Sequence, residues 1–402
     1  MQVLKKLHSV NEIISEAKGY LAFPEVEEVQ IKESLGRYAA EKIVSKLHLP
    51  PRPKSTVDGY AVKYEDVLAA SASTPVLLKV KGSVRAGETP TFRLEHGEAC
   101  WIETGAFLPK GANAVIPVEN VLLRNSEITV FSSAAKYENV SLPGEEYKPG
   151  LVIVDRGWRI TPVHLAALKL EGLTHIPTYK LDARILVTGD EFLRKVSPYP
   201  PFTQELVAGW LEEHGIKVRE VSFSGDDVNE IYRWLKASDA YVTIVMGGTS
   251  MGKHDYSVKA IKQLYPEYLV HGVAIRPGKT ACIAVKNRRL YAAISGLPVA
   301  ALSSLELLFK PLLRQAGLNL PEWPKVRGKL TRRVTVKAGL LGFVRVNVYR
   351  HCGELLVEPL MLGGSGALAS LLEGNGYLVI PEDLEGYDVG QDVEVSLYRP
   401  LL

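Results

Sequence analysis

Three loops in this chain combine glycines with acids or hydroxyls: TGDEF at 188–192, SGDD at 224–227 and MGGTSMGKHD at 246–255. Each follows a short apolar run, so each is expected where a strand ends. Glycines let backbone N–H groups approach a phosphate closely, and a helix N-terminus adds partial positive charge. Carboxylates alone would repel a phosphate, which makes a divalent cation such as magnesium the natural third party. Asp190, Glu191, Asp226, Asp227 and Asp255 are hard oxygen donors suited to that cation, and only one or two need bind it directly. Any single one could instead cap a helix. Three such loops on one sheet edge weigh against capping as the whole explanation.

The third loop nearly spells a nucleotide-binding motif, with Gly247, four residues, then Gly252-Lys253, but His254 stands where that motif needs a hydroxyl for magnesium. The motif also belongs on the first strand of its domain, and this loop follows the third. A further turn, AIRPGKT at 274–280, offers Arg276 and Lys279 across a Pro-Gly pair, which suits an oxyanion as well as it suits a solvated surface turn. No His, Cys or acid set has zinc spacing, and no serine sits in a GxSxG elbow, so zinc enzymes and hydrolase triads lack support.

The elements that must position these loops are legible from period and punctuation. ARILVTG, KVREVSFSG and AYVTIVMGG read as strands, while FTQELVAGWLEEHG and DDVNEIYRWLKAS between them read as helices, the first closed by Gly215. Such alternation predicts a mostly parallel sheet with helices on both faces, over 181–325 and ending in PVAALSSLELLFKPLLRQAG. Ligands of such sheets gather at the carboxyl ends of the strands. Residues 1–44, with VNEIISEAK and IKESLGRYAAEKIVSKL, show apolar residues at three- and four-residue intervals and are expected to be helical. TPVHLAALKLEGL, with Thr161 as N-cap and Pro162 at the first helical position, extends the same domain to 141–180. The turn-rich, alternating segment 45–140 is then an inserted β domain. Beyond the linker PEWPKV, the runs LTRRVTVKA, FVRVNVYR, ELLVEPL and DVEVSLYR predict a C-terminal β domain over 326–402. The expected fold class is multidomain α/β and β: a central α/β three-layer sandwich, an inserted β domain, a helical N-terminal region and a C-terminal β-barrel-like domain.

Bulk composition removes other classes. The 402 residues carry 48 basic and 45 acidic side chains in a mixed pattern, which predicts neither a nucleic-acid stripe nor a polybasic membrane patch. No window reaches about 18 uncharged apolar residues, so no membrane span is expected. The N-terminus lacks the uninterrupted apolar core of a signal peptide. Cys100, Cys282 and Cys352 are few, odd in number and far apart, which fits a reducing cytoplasm.

Seven blocks occur in order: STVDGYAV at 55–62, WIETGAFLPKGANAVIPVEN at 101–120, PGEEYKPG at 143–150, VTGDE at 187–191, GGTSMGKHDY at 247–256, RPGK at 276–279 and GSGALAS at 364–370. Together they resemble the signature blocks of the molybdopterin molybdenumtransferases, the family that includes MoeA and the gephyrin E domain, over nearly the whole chain. The resemblance implies an enzyme that takes adenylylated molybdopterin and molybdate or tungstate, releases AMP in a magnesium-dependent step and leaves the metal on the pterin dithiolene. It also implies an elongated homodimer of four-domain subunits, dimerising through the helical domain. The site would lie in a cleft between the α/β domain of one subunit and the β domain of the other.

Carried over position by position, the resemblance assigns Asp58 and Thr104 to the far side of that cleft. Glu191, Asp227 and Asp255 become the cation and phosphate-cleaving set, and Gly247, Gly248, Thr249 and Ser250 the phosphate cradle. Arg276, Lys279, Pro298, Arg345, Ser365 and Ser370 surround the pterin and the oxyanion. Two blocks depart from the family pattern: GLPVAALS at 296–303 stands where GLPGNPVS is usual, and PFTQ at 201–204 replaces a Tyr-Asp-Thr/Ser-Asn sequence. A catalytically weak molybdopterin-binding or scaffold protein on the same fold is the alternative that the first departure raises. A loop NTPase is the third hypothesis.

Overall fold

The computed structural model describes residues 7–194, 196–249, 255–360 and 364–401. The chain divides into two compact units, one made of Lys42–Ile153 with Ala167–Gly172, the other drawn from Met1–Glu41, Val154–Ala166 and Leu173–Leu402.

The smaller unit is built on a six-stranded sheet in the order Ala114–Pro117, Gly59–Val62, Glu98–Ile102, Val76–Val84, Glu127–Val130, Val121–Arg124. Gly59–Val62 is buried along its whole length because apolar side chains cover both faces of the sheet. Tyr60, Leu78 and Ile116 pack on one face, and Ala61, Val84 and Ile102 on the other. Its span, Lys42–Ile153 with Ala167–Gly172, is wider than the 45–140 expected for the inserted β domain.

In the larger unit, strands Lys217–Ser224, Asp182–Thr188, Val242–Met246 and Arg289–Ile294 lie side by side in parallel. Cys282–Lys286 and Tyr268–His271 extend the sheet antiparallel. Helices Thr203–Glu213 and Pro298–Ser304 cover one face, Val228–Lys236 and Tyr256–Gln263 the other. Burial on both faces explains why Val242–Met246 is apolar and solvent-free at nearly every position. Parallel pairing puts Gly189, Gly225, Gly247 and Ser295 on one edge, each just past the end of its strand.

The C-terminal strands Leu341–His351, Glu354–Pro359, Lys325–Leu330, Asp392–Leu397 and Gly376–Ile380 close on themselves, since the last also pairs with the first, giving a five-stranded barrel around Val346, Val357, Leu378 and Val395. Lys325–Leu330 and Gly376–Ile380 are strands that the sequence pattern did not single out. Of LTRRVTVKA only Val334–Thr335 is a strand in its own right, pairing with Gly386–Tyr387.

The helical reading of residues 1–44 holds for Val10–Ala17, capped by Ser9 Oγ, and fails beyond it. IKESLGRYAAEKIVSKL forms one 3₁₀ turn, Ile31–Glu33, and then an extended path. Gly36 takes φ +80°, which breaks any helix, and the buried Tyr38 and Ala39 bridge to Arg159 and Thr178. The three-and-four spacing of its apolar residues was satisfied by strand-like burial, a case of tertiary pairing overriding a local period. The segment 141–180 keeps its helix, Pro162–Leu170, but returns as strand His175–Tyr179, antiparallel to Val26–Gln30. Among the described residues no helix is long and apolar enough to cross a membrane.

Candidate active site

At the carboxyl edge of the parallel sheet the backbone makes the first cavity. Gly247 and Gly248 take φ +97° and +59°; a Cβ on Gly247 would lie 2.7 Å from the Thr188 carbonyl oxygen, and one on Gly248 would lie 2.7 Å from Ser257 Oγ. Ser257 Oγ donates to the Gly247 carbonyl at 2.7 Å, which ties the turn to the helix that follows it. The result is a cavity of about 350 Å³ walled by Gly189, Glu191, Gln204, Asp226, Gly247 and Leu297 among others. The Glu191 carboxylate folds back on Gly189, 2.7 Å from where a Cβ would sit, and Gly189 takes φ +154°, a backbone conformation that favours glycine.

The acids divide by task. Asp190 accepts from the Asp226 N–H at 3.1 Å and pairs with Arg194 at 2.9 Å, so it braces the two loops against each other. Asp227 caps helix Val228–Lys236, accepting from the N–H groups of Asn229 and Glu230 at 2.8 and 2.9 Å. Asp226, its neighbour, lines the cavity with Glu191. Asp255 sits at the N-cap of Tyr256–Gln263 without capping it; one oxygen lies 3.7 Å from His271 Nδ1 and the other has no hydrogen-bond partner among the described residues. Burial pushes the Asp255 carboxyl up and the His271 imidazole down from their ordinary values. Of the expected cation set, the structure thus brings Glu191 to the cavity wall with Asp226, while Asp227 and Asp255 are not among its lining residues. No group of three or more metal-holding side chains occurs among the described residues. Ser250, like Lys253 and His254, lies outside the described residues.

A second cavity, about 920 Å³, is walled by Arg276, Lys279, Leu297, Phe343, Arg345 and Ser365 among others, so four of the six residues expected around the pterin and oxyanion share one space, while Pro298 and Ser370 are not in its wall. Arg276 and Lys279 are exposed at its rim, whereas Arg345 is buried and its Nε donates to Ser370 Oγ at 3.0 Å. Ser370 passes the chain on to the Ala367 carbonyl at 2.6 Å. Burial pulls the Arg345 guanidinium below its usual value, but it stays a cation. Gly278 takes φ +116°, and a Cβ there would meet Ile275 and Ser303 at about 3 Å, so the basic turn packs directly on the helix that begins at Pro298. The GLPVAALS block forms that helix start: Val299 N donates to the Ser365 carbonyl at 3.0 Å, Val299 and Ala301 are fully buried, and Ala300 faces the cavity. Pro298, at its first helical position, is buried and forms no part of the wall.

Leu297 belongs to both cavities, and Thr249 Oγ1 lies 3.3 Å from Thr280 Oγ1, linking the glycine turn to the basic one. Sequence reasoning had assigned no role to Leu297, Thr280, Gln204 or Phe343. Three of these lie inside quoted blocks, GLP, RPGKT and PFTQ, so their place beside motif residues was the available signal. In the smaller unit Asp58 precedes the central strand Gly59–Val62 and Thr104 follows its neighbour Glu98–Ile102. The antiparallel register, Gly59 opposite Ile102, brings them together. Asp58 Oδ1 accepts from Thr104 N at 2.7 Å and Oγ1 at 2.8 Å, and these bonds hold its carboxyl below the usual range.

Residues 6–172 match the family described as MoeA N-terminal region (domain I and II), 184–315 a probable molybdopterin binding domain, and 327–398 the MoeA C-terminal region (domain IV). The molybdopterin molybdenumtransferase of Bacillus subtilis is 30% identical over 388 residues, covering 93% of this chain and 90% of its own. Crystal structures of molybdopterin biosynthesis MoeA proteins from Pyrococcus horikoshii superpose with TM-scores of 0.79 and 0.83 at 32% and 28% identity, each covering 98% of this chain and 100% of that one. With matched regions spanning both units and a relative of this identity along nearly the full length, the chain belongs to the MoeA family of molybdenum cofactor biosynthesis proteins.

Proposed function

We propose that this protein is a molybdopterin molybdenumtransferase, which takes adenylylated molybdopterin and molybdate, breaks the phosphoanhydride with release of AMP and leaves the metal on the pterin dithiolene. The observation that carries the reading is the pair of cavities of opposite chemistry that meet at Leu297. A tetrahedral dianion is matched by Arg276, Lys279 and the preset, buried Arg345. A pterin phosphate is matched by the Gly247-Gly248 turn, where backbone can approach closely. Glu191 and Asp226, two hard oxygen donors on one wall, fit a magnesium ion that keeps several waters and takes its other ligands from phosphate. Magnesium held there would neutralise charge on the anhydride. Molybdate and tungstate share charge and nearly share size, so either serves as substrate. The reading includes a cytoplasmic homodimer.

The test is AMP release by the purified protein from adenylylated molybdopterin, with and without magnesium and with molybdate or tungstate. Release that needs both the oxyanion and the cation is expected. A protein that neither binds the nucleotide nor releases AMP with either oxyanion overturns the reading. A second reading, a molybdopterin-binding scaffold on the same fold, is favoured by Val299, Ala300 and Ala301, apolar residues packed at the edge of the basic cavity. It expects binding without turnover, and activity gained when Gly, Asn and Pro are placed at 299–301.

A further inference from the structure

Glu306 is only 4% exposed, yet it lies in neither cavity. It sits in Leu305–Phe309, a π-helical turn between the α-helical segments Pro298–Ser304 and Lys310–Gln315. Such turns are rare and store an altered side-chain direction at one point of a helix. Its Oε1 accepts from Trp210 Nε1 at 2.6 Å and Trp323 Nε1 at 2.7 Å; its Oε2 accepts from the Tyr377 hydroxyl at 2.9 Å and pairs with the buried Lys310 at 3.3 Å. The donors come from a helix of the α/β sheet, the connector after it and a strand of the barrel, so one carboxylate fastens three segments. A buried charged pair adds less stability than apolar packing of the same volume, which leaves geometry as what it supplies.

That geometry leads to the basic cavity. Tyr377 stands directly opposite Arg345 in the barrel register, and its ring stacks on Phe343 with centroids 4.6 Å apart. Phe343 and Arg345, two apart on one strand and so on one face, both wall the cavity. The same strand is anchored at its other end, where Arg276 pairs opposite Gly342 and Leu341 N donates to the Ala274 carbonyl at 2.7 Å. Arg345 is therefore bracketed between a strand pairing at Arg276 and a hydrogen bond to Glu306 through Tyr377.

We infer that Glu306, acting through Tyr377, is a positioning residue that sets Arg345 against Arg276 and Lys279 and so fixes the affinity of the site for its oxyanion. The inference rests on the transferase reading. Its test compares wild type, Tyr377→Phe, Glu306→Gln and, as a positive control, Lys279→Ala, at a temperature where all are folded. Two quantities are read: tungstate binding by equilibrium dialysis, and the molybdate concentration for half-maximal AMP release. Tyr377→Phe keeps the ring stack and removes the hydroxyl's bonds to Glu306 and Ser396, and Glu306→Gln keeps the hydroxyl and changes only the carboxylate side. For both seam variants the half-saturating oxyanion concentration is expected to rise about tenfold or more, with kcat and binding of adenylylated molybdopterin within about twofold of wild type. Oxyanion affinity unchanged in both, while Lys279→Ala weakens it, overturns the inference alone. Nucleotide binding and oxyanion affinity lost in parallel also overturn it, since that is general loosening. A wild type that binds no tungstate and releases no AMP overturns the transferase reading and the inference with it.

Discussion

The two cavities that meet at Leu297 are built by different means. The one at the sheet edge is made by backbone: Gly189, Gly247 and Gly248 take positive φ at consecutive strand ends, and the walls follow from parallel pairing. The basic one is made by side chains gathered from turn 276–279, strand Leu341–His351 and residues 364–365, with Ile275–Arg276 pairing onto the start of that barrel strand. A pocket shaped by backbone keeps its shape when its side chains change but not when its glycines do. A pocket made by side chains depends on each long cation and on whatever holds it in place.

The largest expected effect breaks the side-chain pocket. Arg345→Ala removes the one buried cation that walls the oxyanion cavity among the described residues, and AMP release should fall by about 10²- to 10³-fold at low molybdate, while binding of adenylylated molybdopterin, measured by calorimetry, stays near wild type. An equal loss of nucleotide binding would erase the distinction between the pockets. Next is the backbone pocket. Gly247→Ala places a Cβ 2.7 Å from the Thr188 carbonyl oxygen at φ +97° and should cost at least about 1–2 kcal/mol of stability from the backbone alone. Nucleotide binding should fall with it, and chemical denaturation checks the first part. A stable variant that binds normally would show that the glycine turn is no cradle.

The same contrast explains what was legible in the sequence. Strand ends announced by Gly after an apolar run can be read from one sequence because cause and signal are local: ARILVTG and AYVTIVMGG became strands Asp182–Thr188 and Val242–Met246. Arg345 and Ser370 carry no local signal, since nothing in FVRVNVYR says which arginine turns inward, and they are reached only through the family resemblance. That Asp226 rather than Asp227 lines the cavity has a reason sequence cannot resolve. One residue of helix phase decides which carboxylate reaches back to the N–H groups of Asn229 and Glu230 and which faces the cavity. The extended path after Ile31–Glu33 was missed because its pairing partners, Arg159 and Thr178, lie more than a hundred residues away.

That difference in placement gives a smaller prediction. Asp227→Ala should cost about 1 kcal/mol of stability through the lost cap, read as a lower denaturation midpoint, with the magnesium dependence of AMP release unchanged. Asp226→Asn should do the opposite, leaving stability near wild type and raising the magnesium concentration needed for half-maximal release. If Asp227→Ala shifts the magnesium dependence and Asp226→Asn does not, the family's usual assignment to the capping acid stands, and the cavity wall must rearrange on binding.

The smallest expected effect lies outside both pockets, at the seam that supports the second. His214 is buried, stacked on Trp210 with centroids 4.0 Å apart, and its Nδ1–H donates to the Trp210 carbonyl at 2.8 Å. Burial above all, with Lys310 nearby adding to it, holds its imidazole below the ordinary 6.5, against a weaker opposing pull from the Trp210 bond and Glu306. The unfolded chain then binds more protons than the folded one between the depressed value and 6.5. Stability from keeping this ring neutral is full above that window and is lost as pH falls through it. His214→Phe keeps the stacked ring and removes the titration. Its melting temperature should therefore fall less than that of wild type between about pH 7.5 and about pH 5.5. Parallel curves would mean that His214 is protonated as easily folded as unfolded, and that the seam around Glu306 is wetter and looser than its hydrogen bonds imply.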